Sequence, residues 1–191
     1  MPVTTWAELR WALVGCLRLA RGDRGGLACF DRSPDGFWRS FLSAFLSYPF
    51  FLILLTMRVS LADWNAAGGL QIMLAETIGY VISWAAFPLV MVSVLRWIGR
   101  EQRYFDFLVP YNWCQLPQSL LFVLVGIESE TGAFGAGVSQ TIEVAAAFAV
   151  LVYEWYIARV ALETSRAAAT LIVLVDLVLG VLVTRAAAGL Y

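Results

Sequence analysis

Long apolar runs alternate with short polar segments along most of this chain. Five of the runs predict membrane-crossing helices, over residues 40–57, 70–95, 107–127, 137–158 and 167–184. About 20 consecutive apolar residues cross the hydrocarbon core of a bilayer, and the first three runs satisfy that length directly. The last two runs contain acidic residues, so they cross only if those side chains are shielded from lipid. The pattern predicts an all-α membrane protein, with a bundle of five transmembrane helices in residues 37–191.

The first 36 residues have an amphipathic pattern followed by a polar connector rich in glycine, arginine and aspartate. Thr5 and Glu8 have the spacing of a capping box, which predicts a helix over about residues 6–20. Such a helix can lie in the lipid headgroup layer, or it can pack as an ordinary amphipathic helix on the protein's own cytoplasmic face. Basic side chains on or near it are predicted to contact anionic headgroups: Arg10, Arg18, Arg21 and Arg39.

Arginine is distributed unevenly between the two sides of the predicted bundle. With five crossings, the N-terminal region and two of the connecting loops lie on one side and contain eleven arginines. The opposite side contains only Arg58 and Arg185. Because positively charged loops remain in the cytoplasm, we expect the N-terminal region to be cytoplasmic and Tyr191 to lie on the periplasmic side. Residues 1–36 are then a cytoplasmic helix and connector.

Composition supports a membrane protein and excludes several kinds of chemistry. The hydrophobic fraction is 61% and the mean hydropathy is +0.76, against about 45–50% apolar residues in soluble domains. All thirteen basic residues are arginine, since the chain contains neither lysine nor histidine. This excludes common zinc sites, Ser-His-Asp triads and Schiff-base chemistry, so we expect no metal, no cofactor and no enzymatic activity.

Charge and cysteine content give two further expectations. The net charge is −1 and no nucleic-acid-binding motif is present, so nucleic acid is not an expected partner. The three cysteines are odd in number and lack CxxC spacing. We therefore expect buried or reduced thiols, not a disulfide or a metal site.

Acidic and amide side chains inside the predicted spans are the candidates for function. Glu143 and Glu154 are eleven residues apart, which places them about 20° from the same line along one helix face. Since no arginine lies deep in any span, these acids are expected to face the bundle interior and to hydrogen-bond across helices. The predicted polar seam has seven members: Glu76, Asn112, Gln115, Gln118, Glu143, Glu154 and Asp176.

Helical rise predicts how these side chains are distributed in depth. Glu76 is expected level with Glu143 near the periplasmic side, and Glu154 level with Asn112 near the cytoplasmic side. Asp176 is expected near mid-membrane, with glutamine partners. The seam is either a path or site for a proton, a cation or a small polar substrate, or a set of hydrogen bonds that fixes helix packing.

Two short elements resemble a known family. Residues 35–38, Asp-Gly-Phe-Trp, are similar to a shortened form of the Asp-Leu-Tyr-Gly-Pro-Phe-Trp element of the Yip1 family of integral membrane proteins. The dipeptide Gly79-Tyr80 is similar to the Gly-Tyr element of that family, and the predicted five-span topology resembles it as well. The resemblance is to the bacterial branch and implies a membrane-organising or trafficking-type scaffold. Eukaryotic members of the family engage small GTPases, and that role is not carried over to this chain.

Two functions therefore remain open. The first is a scaffold in the inner membrane of a bacterium, an origin indicated by the missing lysine and the many arginines and alanines. It would bind anionic lipid, and a membrane-protein partner or a second copy, through its arginine-rich cytoplasmic face. The alternative is a small proton- or ion-coupled transporter or channel subunit that uses the polar seam.

Overall fold

The computed structural model describes residues 6–191, which form helices and turns and contain no β-strand. The α-helices are α1 Trp6–Ala20, α2 Pro34–Ser40, α3 Leu42–Arg58, α4 Leu61–Ala67, α5 Gly69–Trp97, α6 Tyr104–Thr131, α7 Ala136–Leu162 and α8 Arg166–Ala188. Short 3-10 helices occupy Arg24–Cys29 and Glu101–Arg103. The predicted all-α architecture is confirmed for this part of the chain.

Four helical stretches are long and apolar enough to cross a membrane: Pro34–Arg58, Gly69–Trp97, Ala136–Leu162 and Arg166–Ala188. The first of them consists of α2 and α3, which continue into one another through Phe41. These four stretches coincide with four of the five predicted spans, and they identify the chain as an integral membrane protein. The remaining predicted span, 107–127, lies within α6, whose 28 residues include polar side chains and two prolines.

The five long helices form a closed ring around a central space. α6 packs most extensively against α3 and α7, α8 packs against α7, and α5 packs against α8. Side-chain hydrogen bonds join α3 to α5 and close the ring. The Tyr48 hydroxyl lies 2.9 Å from the Thr77 hydroxyl, and Tyr80 donates to the Ala44 carbonyl at 2.7 Å.

The first half of α6, which lies beside α1 and α2, is the most enclosed part of these helices. Every residue from 107 to 114 is buried, because α1, α2, α3, α5 and α7 all contact this helix. A helix covered by protein on all sides does not need a uniformly apolar surface. This explains how α6 carries Asn112 without presenting it to lipid, whereas Gln115 and Gln118 lie just beyond the fully buried stretch.

The helix predicted near the N-terminus is present as α1, although Thr5 of the predicted capping box lies outside the described residues. Ala12, Cys16 and Leu19 are buried in the main core, which α1 joins through contacts with α6 and α7. The opposite face is exposed and carries Trp11. α1 therefore has one face against the protein's own bundle and another that protein does not cover.

The cysteines are free, as expected. The sulfur atoms of Cys16 in α1 and Cys114 in α6 are buried and lie 3.2 Å apart, and Cys29 is half-buried. Tyr153 of α7 donates a hydrogen bond to the Cys16 carbonyl at 2.9 Å. These contacts fix α1 beside α6 and α7. We call this end of the bundle the α1 end, and the opposite end, where Tyr191 lies, the C-terminal end.

Candidate functional site

A cavity of about 790 Å³ occupies the space inside the ring, and all five long helices line it. Each helix contributes side chains at helical spacing. On α6 these include Tyr111, Gln115, Gln118 and Phe122, which recur every three or four residues and so share one face. The volume lies within the range of about 300–1,000 Å³ that is typical of small-molecule sites.

The wall of the cavity is mainly apolar and aromatic. Its aromatic members come from α3, α5 and α6: Phe51, Tyr80, Trp84, Phe87, Tyr111 and Phe122. Phe87 and Tyr111 stack with their ring centroids 4.3 Å apart. Apolar walls with a few converging polar groups are the usual construction of ligand sites, because burial supplies affinity and the polar groups supply orientation.

Two acidic side chains meet at one end of this cavity. Glu154 of α7 is only 7% exposed, and Gln115 of α6 donates to its Oε1 at 3.4 Å. Asp176 of α8 lies close enough to interact with both Glu154 and Tyr111. We call Glu154 and Asp176 the acid pair. Within residues 6–191, neither of its members forms an ion pair with an arginine.

The acid pair forms because α7 and α8 run in opposite directions. Glu154 lies eight residues before Leu162, roughly 12 Å from the α1 end of α7 at 1.5 Å per residue. Asp176 lies ten residues after Arg166, roughly 15 Å from the same end of α8. The two carboxyls thus reach similar depth on neighbouring helices, whereas the sequence interpretation had assigned them to different depths.

The amide side chains of α6 have three different environments. Gln115 donates a hydrogen bond to Glu154 of the acid pair, and the predicted seam likewise made Gln115 a partner of the acids. Asn112 instead donates to the Ser40 hydroxyl at 2.9 Å, so the expectation that it satisfies an acid is wrong. The cause is α2, which packs against α6 at that depth. Gln118 is 5% exposed, and its Nε2 has no hydrogen-bond partner in the part of the chain that the structure describes.

Glu76 lies apart from the cavity, near the C-terminal end. It is 3% exposed, forms a salt bridge with Arg58, and accepts a hydrogen bond of 2.8 Å from the Tyr191 hydroxyl. The expectation that no arginine reaches an acid inside a span is therefore wrong for this residue. Arg58 is the last residue of α3, and α5 begins at the same end of the bundle. The long side chain of Arg58 extends from α3 to Glu76 on α5.

Glu143 is exposed, so the prediction that it faces the bundle interior with Glu154 is wrong. Ser139 and Ala146 on the same side of α7 are buried. These small residues lie one turn before and one turn after Glu143, and both are covered by neighbouring helices. The longer side chain of Glu143 lies outside the covered surface. The helical spacing was correct, but the helices do not enclose every level of the face.

The arginines predicted to contact lipid headgroups divide into two groups. Arg10 and Arg21 are exposed. Arg39, in the last turn of α2, instead forms salt bridges with Glu8 of α1 and Asp31 of the connector. That part of the headgroup prediction is wrong for Arg39, whose side chain is largely covered by protein.

Arg18 also binds within the protein, through an ion pair with Asp23 at 2.7 Å. The hydrogen bond from Arg18 lowers the pKa of the Asp23 carboxyl below its ordinary value. It likewise raises the pKa of the Arg18 guanidinium. The pair orders the connector immediately after α1, where the Asp23 carboxylate also accepts from the Gly25 amide at 2.8 Å.

Sequence reasoning missed two kinds of residue at these sites. Tyr111 is four residues before Gln115, so helical spacing alone could have placed it on the same face. Tyr191 gave no such signal, because its contact with Glu76 depends on how the C-terminal residues fold over α5.

No protein-family model, no curated protein and no solved structure matches this chain.

Proposed function

We propose that this protein is a small proton- or ion-coupled membrane transporter in which Glu154 and Asp176 bind the transported species or the coupling proton. The observation that supports this proposal is the acid pair itself, which meets a large internal cavity and has no arginine partner among the described residues. A cavity is unnecessary for a purely structural hydrogen-bond network. The proposed role is binding and movement of a solute, without catalysis.

The electrostatics of the acid pair explain why it would exchange a proton or a cation. Two adjacent carboxylates repel one another when both are ionised, and water is scarce at this depth in a membrane. A proton or a cation between them removes that repulsion. Because only one such charge is needed, a cation and a proton compete for the same place, and binding of the cation releases the proton.

The proposal includes α6 as a fifth membrane span, with the N-terminal region in the cytoplasm of a bacterium and Tyr191 outside. The length of α6 and its position between α3 and α7 support this topology. The uneven distribution of arginine supports the orientation. A reporter enzyme that is active only in the periplasm, fused after Tyr191, should be active. Activity of a cytoplasmic reporter at that position would contradict the topology.

Proteoliposomes that contain a trapped pH-sensitive dye test the proposed transport. An imposed pH gradient should collapse faster with the wild-type protein than in protein-free vesicles, and Glu154→Gln should remove the difference. Glu143→Gln is the matched control, since it changes an exposed glutamate on the same helix. Equal rates for wild type, Glu154→Gln and protein-free vesicles, with folded protein in both preparations, would reject the proposal.

We also propose a second candidate, a scaffold role of the kind implied by the Yip1 resemblance. The observation that favours it is the exposed face of α1, where Trp6 and Trp11 accompany Arg10. Aromatic and arginine side chains together suit contact with anionic headgroups, with a membrane-protein partner or with a second copy of the chain.

Hydrogen exchange in lipid nanodiscs tests this second candidate. We expect anionic lipid to protect α1 relative to zwitterionic lipid, and the variant Arg10→Gln with Arg21→Gln to lose that added protection. Protection that is the same in both lipids would count against a headgroup-binding role of α1.

A further inference from the structure

We infer that the cavity selects a lipophilic organic cation, that is, an ammonium or phosphonium centre with aromatic or aliphatic substituents. The inference rests on the proposed function, because it concerns the same cavity and the same acid pair. It goes beyond that function in naming the chemical class of the solute. Three features of the site carry it: the distribution of charge, the material of the walls and one unpartnered amide.

Charge is distributed unevenly along the cavity. Glu154 and Asp176 lie toward the α1 end, and the one basic residue among the described lining residues is Arg185. Arg185 follows Asp176 by nine residues on α8, which separates them by roughly 13 Å along the helix axis. A cation that enters the cavity is therefore attracted to the acid pair and repelled from the opposite end, and an anion is not stabilised beside the carboxyls.

The walls indicate that this cation is organic. Aromatic faces attract cations within about 6 Å of the ring centroid, most strongly where water is excluded. Tyr111 borders the acid pair, and Phe87 and Trp84 continue the aromatic surface along the cavity. A hydrated inorganic ion needs a shell of oxygen ligands and would leave most of the volume of about 790 Å³ unused. Substituents on an organic cation would fill that volume and bury the apolar walls.

Gln118 provides an observation that is independent of the acids. Its buried Nε2 has no hydrogen-bond partner within residues 6–191, and its side chain belongs to the cavity wall. An unpaired buried amide destabilises the fold, so a site that retains one is suited to a ligand or water that accepts the bond. Gln118 lies one turn beyond Gln115, roughly 4.5 Å further from the acid pair. The ligand would thus place its charge at the acid pair and extend along α6 toward Gln118, whose N–H would donate to the face of an aromatic substituent.

Equilibrium dialysis of the detergent-solubilised full chain tests the inference with tetraphenylphosphonium as the probe. We expect saturable binding of the probe by the wild-type protein. Tetraphenylborate, which has nearly the same size and the opposite charge, should partition into micelles without saturable binding to the protein. Glu154→Gln or Asp176→Asn should weaken binding of the cation at least ten-fold. Trp84→Ala should weaken it about five-fold through loss of an aromatic face.

Two further variants separate a specific effect from general damage. Glu154→Asp keeps the charge and should retain most of the binding, whereas Glu143→Gln should bind as the wild type does. Elution as a monodisperse species during size-exclusion chromatography shows that each variant is folded.

The possible outcomes distinguish this inference from the proposed function. Equal binding of the cation by wild type and Glu154→Gln, or saturable binding of tetraphenylborate, would overturn the selection of organic cations. Absence of cation binding together with Glu154-dependent collapse of the pH gradient would overturn the inference and leave the proposed transport in place. Absence of both would overturn both.

Discussion

Two buried glutamates near opposite ends of the same bundle have opposite surroundings. Glu76, near the C-terminal end, has Arg58 and Tyr191 as partners, and it does not line the cavity. Glu154, toward the α1 end, has a second acid, a glutamine and the cavity itself. Their exposed fractions are nearly equal, at 3% and 7%. Burial alone therefore does not distinguish a structural carboxylate from a candidate functional one.

The difference lies in how the negative charge is compensated. A carboxylate with a fixed arginine and a donated hydroxyl is satisfied within the fold, and it holds helix ends together. Two neighbouring carboxylates repel one another when both are ionised, and the hydrogen bond from Gln115 adds no positive charge to offset that repulsion. A proton or a cation that binds reversibly would offset it. We therefore interpret Arg58, Glu76 and Tyr191 as a structural group that joins α3, α5 and the C-terminus, and we call it the lock. We interpret the acid pair as the binding site. Each of the following predictions tests one side of this comparison.

The largest expected effect on stability follows removal of the arginine from the lock. Arg58→Gln leaves the Glu76 carboxylate buried without its cation. Loss of a partner from a fully buried ion pair costs about 3–5 kcal/mol, and the partial exposure of Arg58 reduces the expected cost to about 2 kcal/mol. Thermal unfolding in detergent should show a fall in Tm of about 6 °C. The double variant Arg58→Gln with Glu76→Gln should recover much of the loss, and equal destabilisation of both variants would contradict the lock.

A smaller loss is expected when the hydroxyl of the lock is removed. Tyr191→Phe deletes the hydrogen bond to Glu76 and leaves the ring in place. Hydrogen bonds to charged groups contribute about 1.5–3 kcal/mol, and the partial exposure of Tyr191 places this one near 1 kcal/mol. The same thermal measurement should show a shift of about 3 °C. The shift should disappear in the Glu76→Gln background, and an undiminished shift there would show that the hydroxyl acts elsewhere.

The acid pair should behave in the opposite way. Glu154→Gln replaces a buried carboxyl by a neutral amide of nearly the same shape, which removes repulsion from Asp176 and the cost of burying a charge. We expect the free energy of unfolding to remain within about 1 kcal/mol of the wild type or to increase. A loss comparable with that of Arg58→Gln would instead identify the acid pair as a structural element.

The smallest effect concerns pH and the connector after α1. The pKa of Asp23 is lowered by its hydrogen bond to Arg18, so the pair contributes stability above the ordinary aspartate pKa of about 4. That contribution is lost as the pH falls through the lowered pKa. An environment-sensitive fluorophore on half-buried Cys29 should report loosening of the connector only below pH of about 4. The transition should vanish in Asp23→Asn, whereas a transition near neutral pH would have another origin.

The sequence specified the helices better than the contacts between them. The apolar runs located α3, α5, α7 and α8, and helical spacing placed Glu154 on a covered face. Gln115 was expected among the partners of the acids, although its predicted depth matched Asp176 and its hydrogen bond goes to Glu154. Such inferences need only helical period and rise, which are the same in every α-helix.

The errors share a physical cause. Whether Arg58 reaches Glu76, or Asn112 meets Ser40, depends on which helices are neighbours and on how far a side chain extends. The exposure of Glu143 depends on how completely the bundle closes at that level. None of these properties follows from the period of a single helix. A side chain near a span end is the hardest to assign, since a long arginine can reach back into the bundle.

Proton release on cation binding tests most directly the claim that the acid pair exchanges charge whereas the lock does not. Tetraphenylphosphonium is added to weakly buffered, detergent-solubilised protein, and the liberated protons are measured with a pH indicator. We expect about one proton per cation bound by the wild type, because the cation and the proton compete for the same two carboxyls. Release should be absent in Glu154→Gln and unchanged in Arg58→Gln with Glu76→Gln. Full release by Glu154→Gln, or its loss in the Arg58 and Glu76 double variant, would contradict the account.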